Sequence, residues 1–273
     1  MTVSQRLLNK VAIVTGSSSG LGRAIAIAYA REGAHVACAD LRPESRPHIR
    51  EETAINTDEL IRKNGGSAIF VPTDVGDAKQ MSNLINSAVS EFGRLDVMVN
   101  NAGISIEAHD PRPLHTTPDD TWDITMRVNA RSVFLGTKFA IAQMLEQEPH
   151  QPPGDRGWII NISSIMGSIA TEGNPSYCAS KGAVSSLTRQ VAVEYAKHRI
   201  HCNSISPGYT QTAIFAETTG SGMTSLDDLR RKHPFGGPGK PEDIAKFAVV
   251  LASDDAAWVS GANMFVDGGY TAR

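Results

Sequence analysis

The feature that most constrains the fold of this chain is a regular alternation of short apolar runs with longer segments of helical periodicity. The apolar runs are nearly continuous, as in strands that are covered on both faces. They lie at Val11–Thr15, His35–Asp40, Ala68–Val71, Leu95–Asn100, Trp158–Ile162, His201–Ser206 and Met264–Val266. Helices are predicted between them at Leu21–Glu32, Glu51–Asn64, Ala78–Phe92, Asp119–Glu146, Ser176–His198 and Pro241–Ala252. Because such units pair their strands in parallel with right-handed crossovers, the pattern predicts an α/β fold, a doubly wound sheet of about seven parallel strands with helices on both faces.

Length, composition and cysteine usage narrow the class of protein. The chain has 273 residues, 41% apolar and 20% charged, so we expect a single domain over residues 1–273. A net charge of −3 gives no basis for binding nucleic acid, and no apolar run reaches the roughly 20 residues that cross a bilayer. The cysteines, Cys38, Cys178 and Cys202, have neither disulfide nor zinc spacing, and residues 1–10 do not resemble a signal peptide. We therefore expect a cytoplasmic protein with no metal site and no membrane partner.

A glycine-rich turn follows the first predicted strand and opens directly into a helix. Its sequence runs from Thr15 to Gly22, with Gly16, Gly20 and Gly22 letting the backbone approach a pyrophosphate and pack closely. Ser18, Ser19 and Leu21 would add backbone N–H groups at the helix N-terminus. The same residues also match the Gly-x-Ser-x-Gly elbow of α/β-hydrolases, with Ser18 as nucleophile. A dinucleotide site of the Rossmann type is favoured, because the turn follows the first strand and no acid–histidine pair accompanies it.

An acidic residue at the end of the second strand indicates the kind of dinucleotide. Asp40 lies 18 residues after Gly22, where it would accept hydrogen bonds from the adenosine ribose of NAD. It would repel a 2′-phosphate, because like charges about 4 Å apart cost roughly 4 kcal/mol at an effective dielectric near 20. Arg42 is close enough to support some NADP binding, so NAD is predicted with NADP as the alternative.

A second acidic residue follows the third strand, where the adenine ring would lie. Asp74 would accept a hydrogen bond from the adenine amino group, with Val75 presenting its backbone. The alternative for Asp74 is a helix N-cap, for which Asp77 is an equal candidate.

A tyrosine and a lysine one helical turn apart form the candidate catalytic pair. Tyr177 and Lys181 have i, i+4 spacing and lie on one face of their helix. Free tyrosine has a pKa near 10, and lowering it by two or three units takes roughly 3–4 kcal/mol, which one nearby ammonium can supply. Ser164 ends the fifth strand at the edge where ligands bind in such sheets, and its hydroxyl would contact a substrate oxygen. Ser163 is interpreted as a structural polar residue that ends the strand. The same structural role is the alternative for Ser164.

These motifs together resemble the short-chain dehydrogenase/reductase family over essentially the whole chain. The matching segments, in order, are Thr15–Gly22, Asp74-Val75, Asn100-Asn101-Ala102-Gly103, Asn129, Ser164, Tyr177 with Lys181, Pro207-Gly208 with Thr212, and Asp267-Gly268-Gly269. The resemblance implies an NAD(P)-dependent alcohol dehydrogenase or ketoreductase that is a homotetramer or homodimer. The contacts between subunits would be made by the two long helices at 119–146 and 176–198 and by the last strand.

The resemblance also implies a role for each site residue. Tyr177 would be the acid/base, Ser164 would hold the same substrate oxygen, and Lys181 would hold the nicotinamide ribose. Asn129 would place a water that links Lys181 to solvent, although an interior structural role is the alternative. The remaining cofactor contacts would come from the backbone of Asn101, Ala102 and Gly103 at the ribose, from Thr210 and Thr212 at the carboxamide, and from Pro207 and Gly208.

The substrate region is predicted from apolar residues near the strand ends and from a long irregular segment. Residues 208–240 are expected to form a substrate lid, although a tolerated insertion is the alternative. Apolar residues expected in the pocket are Ile104, Ile106, Ile165, Met166, Tyr209, Ile214, Phe215, Met223, Leu226 and Phe235. They predict a medium-sized apolar secondary alcohol or ketone. A non-catalytic NAD-binding sensor and a reductase of carbon–carbon double bonds are the rival hypotheses.

Overall fold

The computed structural model describes residues 5–46, 54–150, 154–212, 215–216 and 225–272. Seven parallel strands form one sheet, namely β1 (Val11–Thr15), β2 (His35–Asp40), β3 (Ser67–Pro72), β4 (Val97–Asn100), β5 (Gly157–Ile162), β6 (Ile200–Pro207) and β7 (Asn263–Val266). The α-helices whose bounds lie within the described residues are α1 (Gly20–Arg31), α2 (Thr57–Lys63), α3 (Ala78–Phe92), α4 (Asp119–Thr125), α5 (Ser132–Glu146), α6 (Pro175–Tyr195), α7 (Leu226–Lys232) and α8 (Pro241–Leu251). The predicted doubly wound α/β fold is confirmed.

The strand order creates a crevice at one edge of the sheet. The order is β3-β2-β1-β4-β5-β6-β7, so the chain changes direction across the sheet between β1 and β4. In parallel sheets a ligand binds at such a switch point, beyond the carboxyl ends of the strands. The first and fourth strands therefore position the site.

Apolar side chains cover both faces of the sheet. One buried cluster joins the strands to α1 and α8 and includes Tyr29, Trp158 and Ile244. The second cluster joins the opposite face to α3, α5 and α6 and includes Met81 and Met144. Burial on both faces explains why the strands are nearly continuous in apolar residues.

Most predicted elements occur within two residues of their expected ends, and three helices differ. The helix predicted over Ser176–His198 ends at Tyr195 and is followed by a 3₁₀ turn at Ala196–His198. The segment predicted as one helix over Asp119–Glu146 contains a π-helical turn at Met126–Arg131 between α4 and α5. The helix predicted over Glu51–Asn64 begins at Thr57, whereas residues 51–53 lie outside the described part of the chain. The π turn inserts an extra residue into the helical repeat, a change that apolar periodicity does not register.

The cysteines and the described helices add details about the chain's environment. Cys38 and Cys202 are buried and Cys178 is partly buried, and all are free thiols. Burial raises the pKa of both Cys38 and Cys202 to about 12, so neither is a thiolate near neutral pH. Within the described residues, no helix has the length and apolar content needed to cross a membrane.

Candidate active site

A cavity of about 500 Å³ lies over the carboxyl ends of the central strands. It brings together most residues that the sequence assigns to the site, namely Gly16, Ser19, Gly20, Leu21, Asp40, Asp74, Val75, Asn101, Ala102, Gly103, Ser164, Tyr177, Lys181, Pro207, Gly208, Thr210 and Thr212. Ser18, Gly22 and Asn129 do not line the cavity and lie behind its walls. The arrangement is a single continuous groove, with the glycine turn at one end and Tyr177 towards the other.

The glycine turn after β1 is shaped for close approach of a pyrophosphate. Gly16 has a φ of +65°, and a Cβ there would lie 2.9 Å from the Cα of Ala102. A Cβ on Gly22 would lie 2.1 Å from the carbonyl oxygen of Gly16, so only glycine lets α1 start this near the strand. Ser19 makes no side-chain cap and the first turn carries no acidic residue, which leaves the partial positive charge of the helix N-terminus for an anion. These residues fit the pyrophosphate of a dinucleotide.

Ser18 faces away from the cavity, which removes it as a nucleophile. It is 4% exposed, and its hydroxyl donates a 2.7 Å hydrogen bond to the carbonyl oxygen of Arg42. Its backbone N–H donates to Asp40 Oδ2 at 3.2 Å. The hydroxyl of an elbow nucleophile must be presented to the substrate. Ser18 therefore helps to hold Asp40 and does not support the hydrolase alternative.

Asp40 presents an oriented carboxylate to the adenosine end of the cavity. Besides the Ser18 contact, Asp40 Oδ1 accepts a 2.8 Å hydrogen bond from the N–H of Leu41. Arg42, the residue considered as a support for NADP, is exposed and does not line the cavity, whereas Arg46 does. The cation of this connection that lines the cavity is thus Arg46, four residues after Arg42.

Asp74 is already paired with a cation that sequence reasoning did not assign. Arg127 in the π turn donates to Asp74 Oδ2, and Asp74 Oδ1 accepts a 2.9 Å hydrogen bond from the N–H of Gly76. A Cβ on Gly76 would lie 2.8 Å from the guanidinium carbon of Arg127, and Arg131 donates to the Gly76 carbonyl. The N-cap of α3 is Asp77, whose side chain accepts from the N–H of Gln80. Asp74 is therefore not the helix cap, and its carboxylate borders the cavity together with Arg127.

Asn101 fastens the end of β4 to the glycine turn. Its side-chain amide donates to the carbonyl oxygens of Thr15 at 2.8 Å and Gly16 at 3.2 Å. Its backbone N–H donates to Thr15 Oγ1 at 3.0 Å. The Asn101 side chain consequently holds the turn, and its backbone and the two following residues form the cavity wall.

Tyr177 and Ser164 both line the cavity and contact each other. Ser164 follows β5 and is 8% exposed, and its Oγ accepts a 3.1 Å hydrogen bond from the N–H of Met166. Burial raises the pKa of Tyr177, while a hydrogen bond with Ser164 opposes that rise. The hydroxyl of Ser163 instead contacts the Lys181 carbonyl and Ser185, both at 2.9 Å, as its interpretation as a polar strand end predicts.

Lys181 is buried beside Tyr177 but its ammonium is turned onto the end of β5. Its Nζ donates a 2.9 Å hydrogen bond to the carbonyl of Ile162 and lies 5.7 Å from the centre of the Tyr177 ring. Desolvation lowers the pKa of Lys181 to about 8. The sequence expectation was that Lys181 lowers the pKa of Tyr177, and in this arrangement burial outweighs any such effect.

Asn129 connects the π turn at Met126–Arg131 to the wall of the cavity. It is fully buried, and its side chain accepts from the N–H of Ile104 at 2.8 Å and donates to the Ile104 carbonyl at 2.9 Å. It also donates to Ser180 Oγ at 3.1 Å. A Cβ on Gly103 would lie 3.3 Å from Asn129 Oδ1 and 3.5 Å from Lys181 Nζ, so glycine at this position keeps the space between them open.

Beside the carboxyl end of β6, the cavity is lined by Tyr209, Thr210, Thr212 and Phe215 of the segment predicted as a lid, whereas residues 213–214 and 217–224 of that segment lie outside the described part of the chain. Thr212 accepts a 3.4 Å hydrogen bond from the N–H of Phe215 through its hydroxyl, and a Cβ on Gly20 would lie 3.3 Å from its methyl. Of the apolar residues expected in the pocket, Ile104, Ile165, Met166, Tyr209 and Phe215 line the cavity. Leu226 and Phe235 are exposed, Ile106 does not line the cavity, and Ile214 and Met223 lie outside the described residues.

Sequence reasoning missed Arg46, Arg127 and Glu107. The first two line the cavity, and Glu107 is a buried carboxylate beside Ala108, which lines it. The contacts of Arg127 with Asp74 and of Glu107 with Ser176 and Tyr177 join residues more than 50 positions apart, so local spacing carried no signal for them. The charge of Glu107 between the apolar residues Ile106 and Ala108 was the clue that the sequence offered.

Comparisons with known proteins match the whole of this architecture. Residues 16–271 match a family model described as enoyl-(acyl carrier protein) reductase. The 2,5-dichloro-2,5-cyclohexadiene-1,4-diol dehydrogenase LinX of Sphingobium indicum is 37% identical over 269 residues, which cover 98% of this chain and 99% of that protein. The 2-(S)-hydroxypropyl-CoM dehydrogenase 3 of Xanthobacter autotrophicus is 37% identical over 273 residues, which cover 99% of this chain and 100% of that protein.

Solved structures agree with these sequence matches. A short-chain type dehydrogenase/reductase from Mycobacterium marinum superposes with a TM-score of 0.85 at 31% identity, over 98% of each chain. A protein from Agrobacterium tumefaciens, assigned as a 2-deoxy-D-gluconate 3-dehydrogenase and solved with bound NADP, has a TM-score of 0.82 at 32% identity, over 98% of this chain and 99% of the other.

Proposed function

Because the chain belongs to the short-chain dehydrogenase/reductase family of oxidoreductases, we propose that it interconverts a secondary alcohol and a ketone with NAD(H), using Tyr177 as its acid/base. The observation that carries the proposal is the meeting of Tyr177, Ser164 and Lys181 in the same groove as the glycine turn. A protein that only senses a dinucleotide needs the nucleotide half of this groove and not the catalytic half.

The cofactor would lie along the groove in the order of its chemical parts. The turn at Gly16–Gly22 would hold the pyrophosphate, Asp40 the adenosine ribose, and Asp74 with Val75 the adenine. Asn101, Ala102, Gly103 and Lys181 would surround the nicotinamide ribose, while Pro207, Gly208, Thr210 and Thr212 would hold the carboxamide. When bound, the nicotinamide supplies the hydride acceptor or donor.

Tyr177 would exchange the proton of the substrate oxygen. In alcohol oxidation the phenolate of Tyr177 takes that proton, and in ketone reduction its hydroxyl gives one. Ser164 Oγ would hold the same oxygen as charge develops on it. Because burial raises the pKa of Tyr177, an opposing positive charge is required, and the ammonium of Lys181 is the cation of this part of the groove. The i, i+4 spacing places it one turn from Tyr177.

Asn129 would extend the proton path from Lys181 towards solvent. Its carboxamide holds both backbone polar groups of Ile104, so this part of the wall is fixed beside Lys181. The proton that Tyr177 takes up would pass along the Lys181 side of the groove, where Gly103 keeps the approach open.

The substrate would be a medium-sized alcohol with a largely apolar skeleton. The cavity that contains Tyr177 is lined by the apolar side chains of Ile104, Ala108, Ile165, Met166 and Phe215. Residues 208–240 would act as the lid. Both named relatives are dehydrogenases of hydroxyl-bearing substrates, one of them a cyclic diol. These names support a secondary alcohol, cyclic or short-chain, as the substrate class.

NAD is proposed over NADP because of the oriented carboxylate of Asp40. The negative charge of Asp40 would repel the 2′-phosphate of NADP. NADP is the alternative, since Arg46 lines the groove and one solved neighbour holds NADP. Titrating NADH and NADPH side by side by fluorescence separates them. Tighter NADPH binding would mean that Arg46 overrides Asp40.

The test of the catalytic proposal is the Tyr177→Phe variant. Turnover of a panel containing cyclohexanol, cyclohexane-1,2-diol and 2-butanol should fall by at least about 10³-fold, a loss in the range of general acid–base catalysis, while the NADH Kd should stay within twofold. Tyr195→Phe, at the far end of α6, is the matched control and should keep full activity. Undiminished turnover in Tyr177→Phe would overturn the proposed role.

Reduction of a carbon–carbon double bond is the second candidate, because the matching family model is described as an enoyl reductase. Ser164 at the cavity wall favours carbonyl chemistry, since its hydroxyl can support charge on an oxygen. Assaying crotonyl-CoA with NADH and NADPH beside the alcohol panel distinguishes the two.

A further inference from the structure

Glu107 is a buried carboxylate directly behind the substrate wall. It belongs to the short 3₁₀ turn Ile106–Ala108 after β4 and is 2% exposed. Its neighbours Ile104, Ser105 and Ala108 line the cavity, whereas Glu107 itself does not. Among the described residues, no lysine or arginine forms an ion pair with it. A buried carboxylate without a cation must be stabilised by hydrogen bonds.

Those hydrogen bonds come from the first turn of α6, the helix that carries Tyr177. Glu107 Oε1 accepts from the N–H of Ser176 and Oε2 from the N–H of Tyr177, both at 3.0 Å. The helix has no local substitute for this cap, because Asn174 makes no side-chain cap and Pro175 has no N–H. Glu107 therefore supplies, from 70 residues earlier in the chain, the cap that α6 lacks.

The other end of the same wall segment is also tied to the catalytic residues. Asn129 holds the N–H and the carbonyl of Ile104 and donates to Ser180 Oγ. The Ser180 hydroxyl in turn donates to the carbonyl of Tyr177 at 2.8 Å. The segment 104–107 is thus fastened to α6 at both ends, and Tyr177 has its N–H bound at one of them and its carbonyl at the other.

We propose that Glu107 is a positioning residue that fixes Tyr177 relative to the substrate wall at residues 104–108. This proposal rests on the proposed function, because it gives Tyr177 its acid/base role. A substrate that packs against Ile104 and Ala108 would then contact a phenol oxygen whose position relative to these residues is fixed. Orientation of this kind lowers the barrier by fixing reacting atoms before the reaction starts.

Two substitutions separate the geometric role of Glu107 from the role of its charge. Glu107→Gln removes a negative charge beside the backbone of Tyr177 and turns an NH₂ group towards an N–H donor. We expect kcat to fall about tenfold, and we expect the pH profile of kcat/KM for alcohol oxidation to move about half a unit lower, because the phenolate of Tyr177 becomes easier to form. Glu107→Asp keeps the charge on a shorter side chain, so kcat should fall without a shift of the profile.

The NADH Kd should stay within twofold of the wild-type value in both variants, since Glu107 does not line the groove. Thermal unfolding of the same samples reports any loss of stability. A purely structural cap would lower Tm and leave kcat per folded molecule and the pH profile unchanged, and that outcome would overturn the proposal. If Tyr177→Phe is itself fully active, the proposed function fails. If Tyr177→Phe is inactive while both Glu107 variants behave as wild type, only the role of Glu107 fails.

Hydrogen exchange on the wild-type protein decides the matter if neither variant folds. Saturating NAD with cyclohexanone, a pair that cannot exchange hydride because both are oxidised, should slow exchange at the amides of Ser176 and Tyr177 together with those of residues 104–108. Slowing in the wall segment alone would contradict the coupling.

Discussion

Lys181 is a buried lysine whose ammonium group is almost inaccessible to solvent. It is 4% exposed, and desolvation lowers its pKa to about 8. At pH 7 the ammonium is still charged, so the folded state bears the cost of burying it. A group that is costly to stability and central to the site is expected where function, rather than packing, determines the residue.

Lys181→Met should therefore stabilise the protein at pH 7 while abolishing turnover. The lowered pKa of Lys181 corresponds to a destabilisation of the folded state by roughly 3 kcal/mol, which the variant removes. Loss of the hydrogen bond to the Ile162 carbonyl offsets about 1 kcal/mol of this gain. Below pH 8 the lysine is charged in both the folded and unfolded states, so the full penalty applies. Between pH 8 and about 10.4 Lys181 is neutral in the folded state but still protonated in the unfolded state. The free energy of unfolding of the wild-type protein therefore rises with pH in this range relative to that of the variant.

Urea unfolding of both proteins from pH 6 to 10 measures this difference. Lys63→Met, at the exposed end of α2, is the control and should show no such trend. A variant that is less stable than wild type at pH 7 would show that the hydrogen bond outweighs the buried charge.

Asp40 is the residue from which cofactor preference should be changed most simply. Asp40→Asn removes the charge that faces a 2′-phosphate but keeps an acceptor for the N–H of Ser18. Since the carboxylate is partly exposed, we expect the ratio of NADPH to NADH Kd to change about tenfold in favour of NADPH, less than the unscreened charge would give. Glu44→Gln, exposed in the same connection, is the control. An unchanged ratio would assign cofactor selection to another group, with Arg46 the first to examine.

At the level of elements, the π turn at Met126–Arg131 joins the two ends of the groove. Its Asn129 points to the wall beside Lys181, while Arg127 and Arg131 reach the loop after β3 that holds Asp74 and Gly76. π-helical turns inside helices occur often at functional sites, because the extra residue redirects side chains. Here one turn contacts both the region proposed for the adenine ring and the region proposed for catalysis.

Arg127→Met should weaken binding of the adenine half of the cofactor. Asp74 would lose its guanidinium partner, and because this pair is partly exposed, we expect the NADH Kd to rise only about threefold to fivefold. The hypoxanthine analogue of NADH, which lacks the amino group, tests Asp74 separately. Wild type should bind the analogue less tightly than NADH, and Asp74→Asn should reduce that discrimination. Equal binding of the two cofactors by wild type would show that Asp74 does not recognise the amino group.

The elements themselves differ in how far sequence reveals them. Strands such as β1 and β2, and helix α3 with its Asp77 cap, have local patterns that fix their ends, and they lie where they were predicted. The π turn has no apolar signature, because one added residue hardly changes the periodicity of a helix. The cap from Glu107 and the pairing of Arg127 with Asp74 depend on contacts across the fold. Residue identity predicted which groups gather in the groove, and tertiary contacts determined how they are held.

At the scale of the whole molecule, parallel strand order is what gathers a site from the entire chain. The groove receives residues from the ends of β1, β2, β3, β4, β5 and β6, which span positions 16 to 208. No short segment could supply them, which explains why each motif alone is weak evidence and their order along the chain is strong evidence. The outer surfaces of the helices, by contrast, are free to serve assembly.

The long helices present apolar side chains that we expect to be buried between subunits. Phe134 on α5 is 49% exposed and Val193 on α6 is 81% exposed, and Phe265 on β7 is 45% exposed at the edge of the sheet. Single exposed apolar residues are common, but these lie on the two helices and the strand that the family resemblance assigns to contacts between subunits. We therefore predict that sedimentation velocity at micromolar concentration shows a homotetramer or homodimer, and that Phe134→Glu, which places charge in the helix contact, yields a smaller species that is still folded. Leu8→Glu introduces the same charge at an exposed leucine away from these elements and should leave the assembly intact. A monomeric wild-type protein would contradict the prediction and leave these helix faces as ordinary surface.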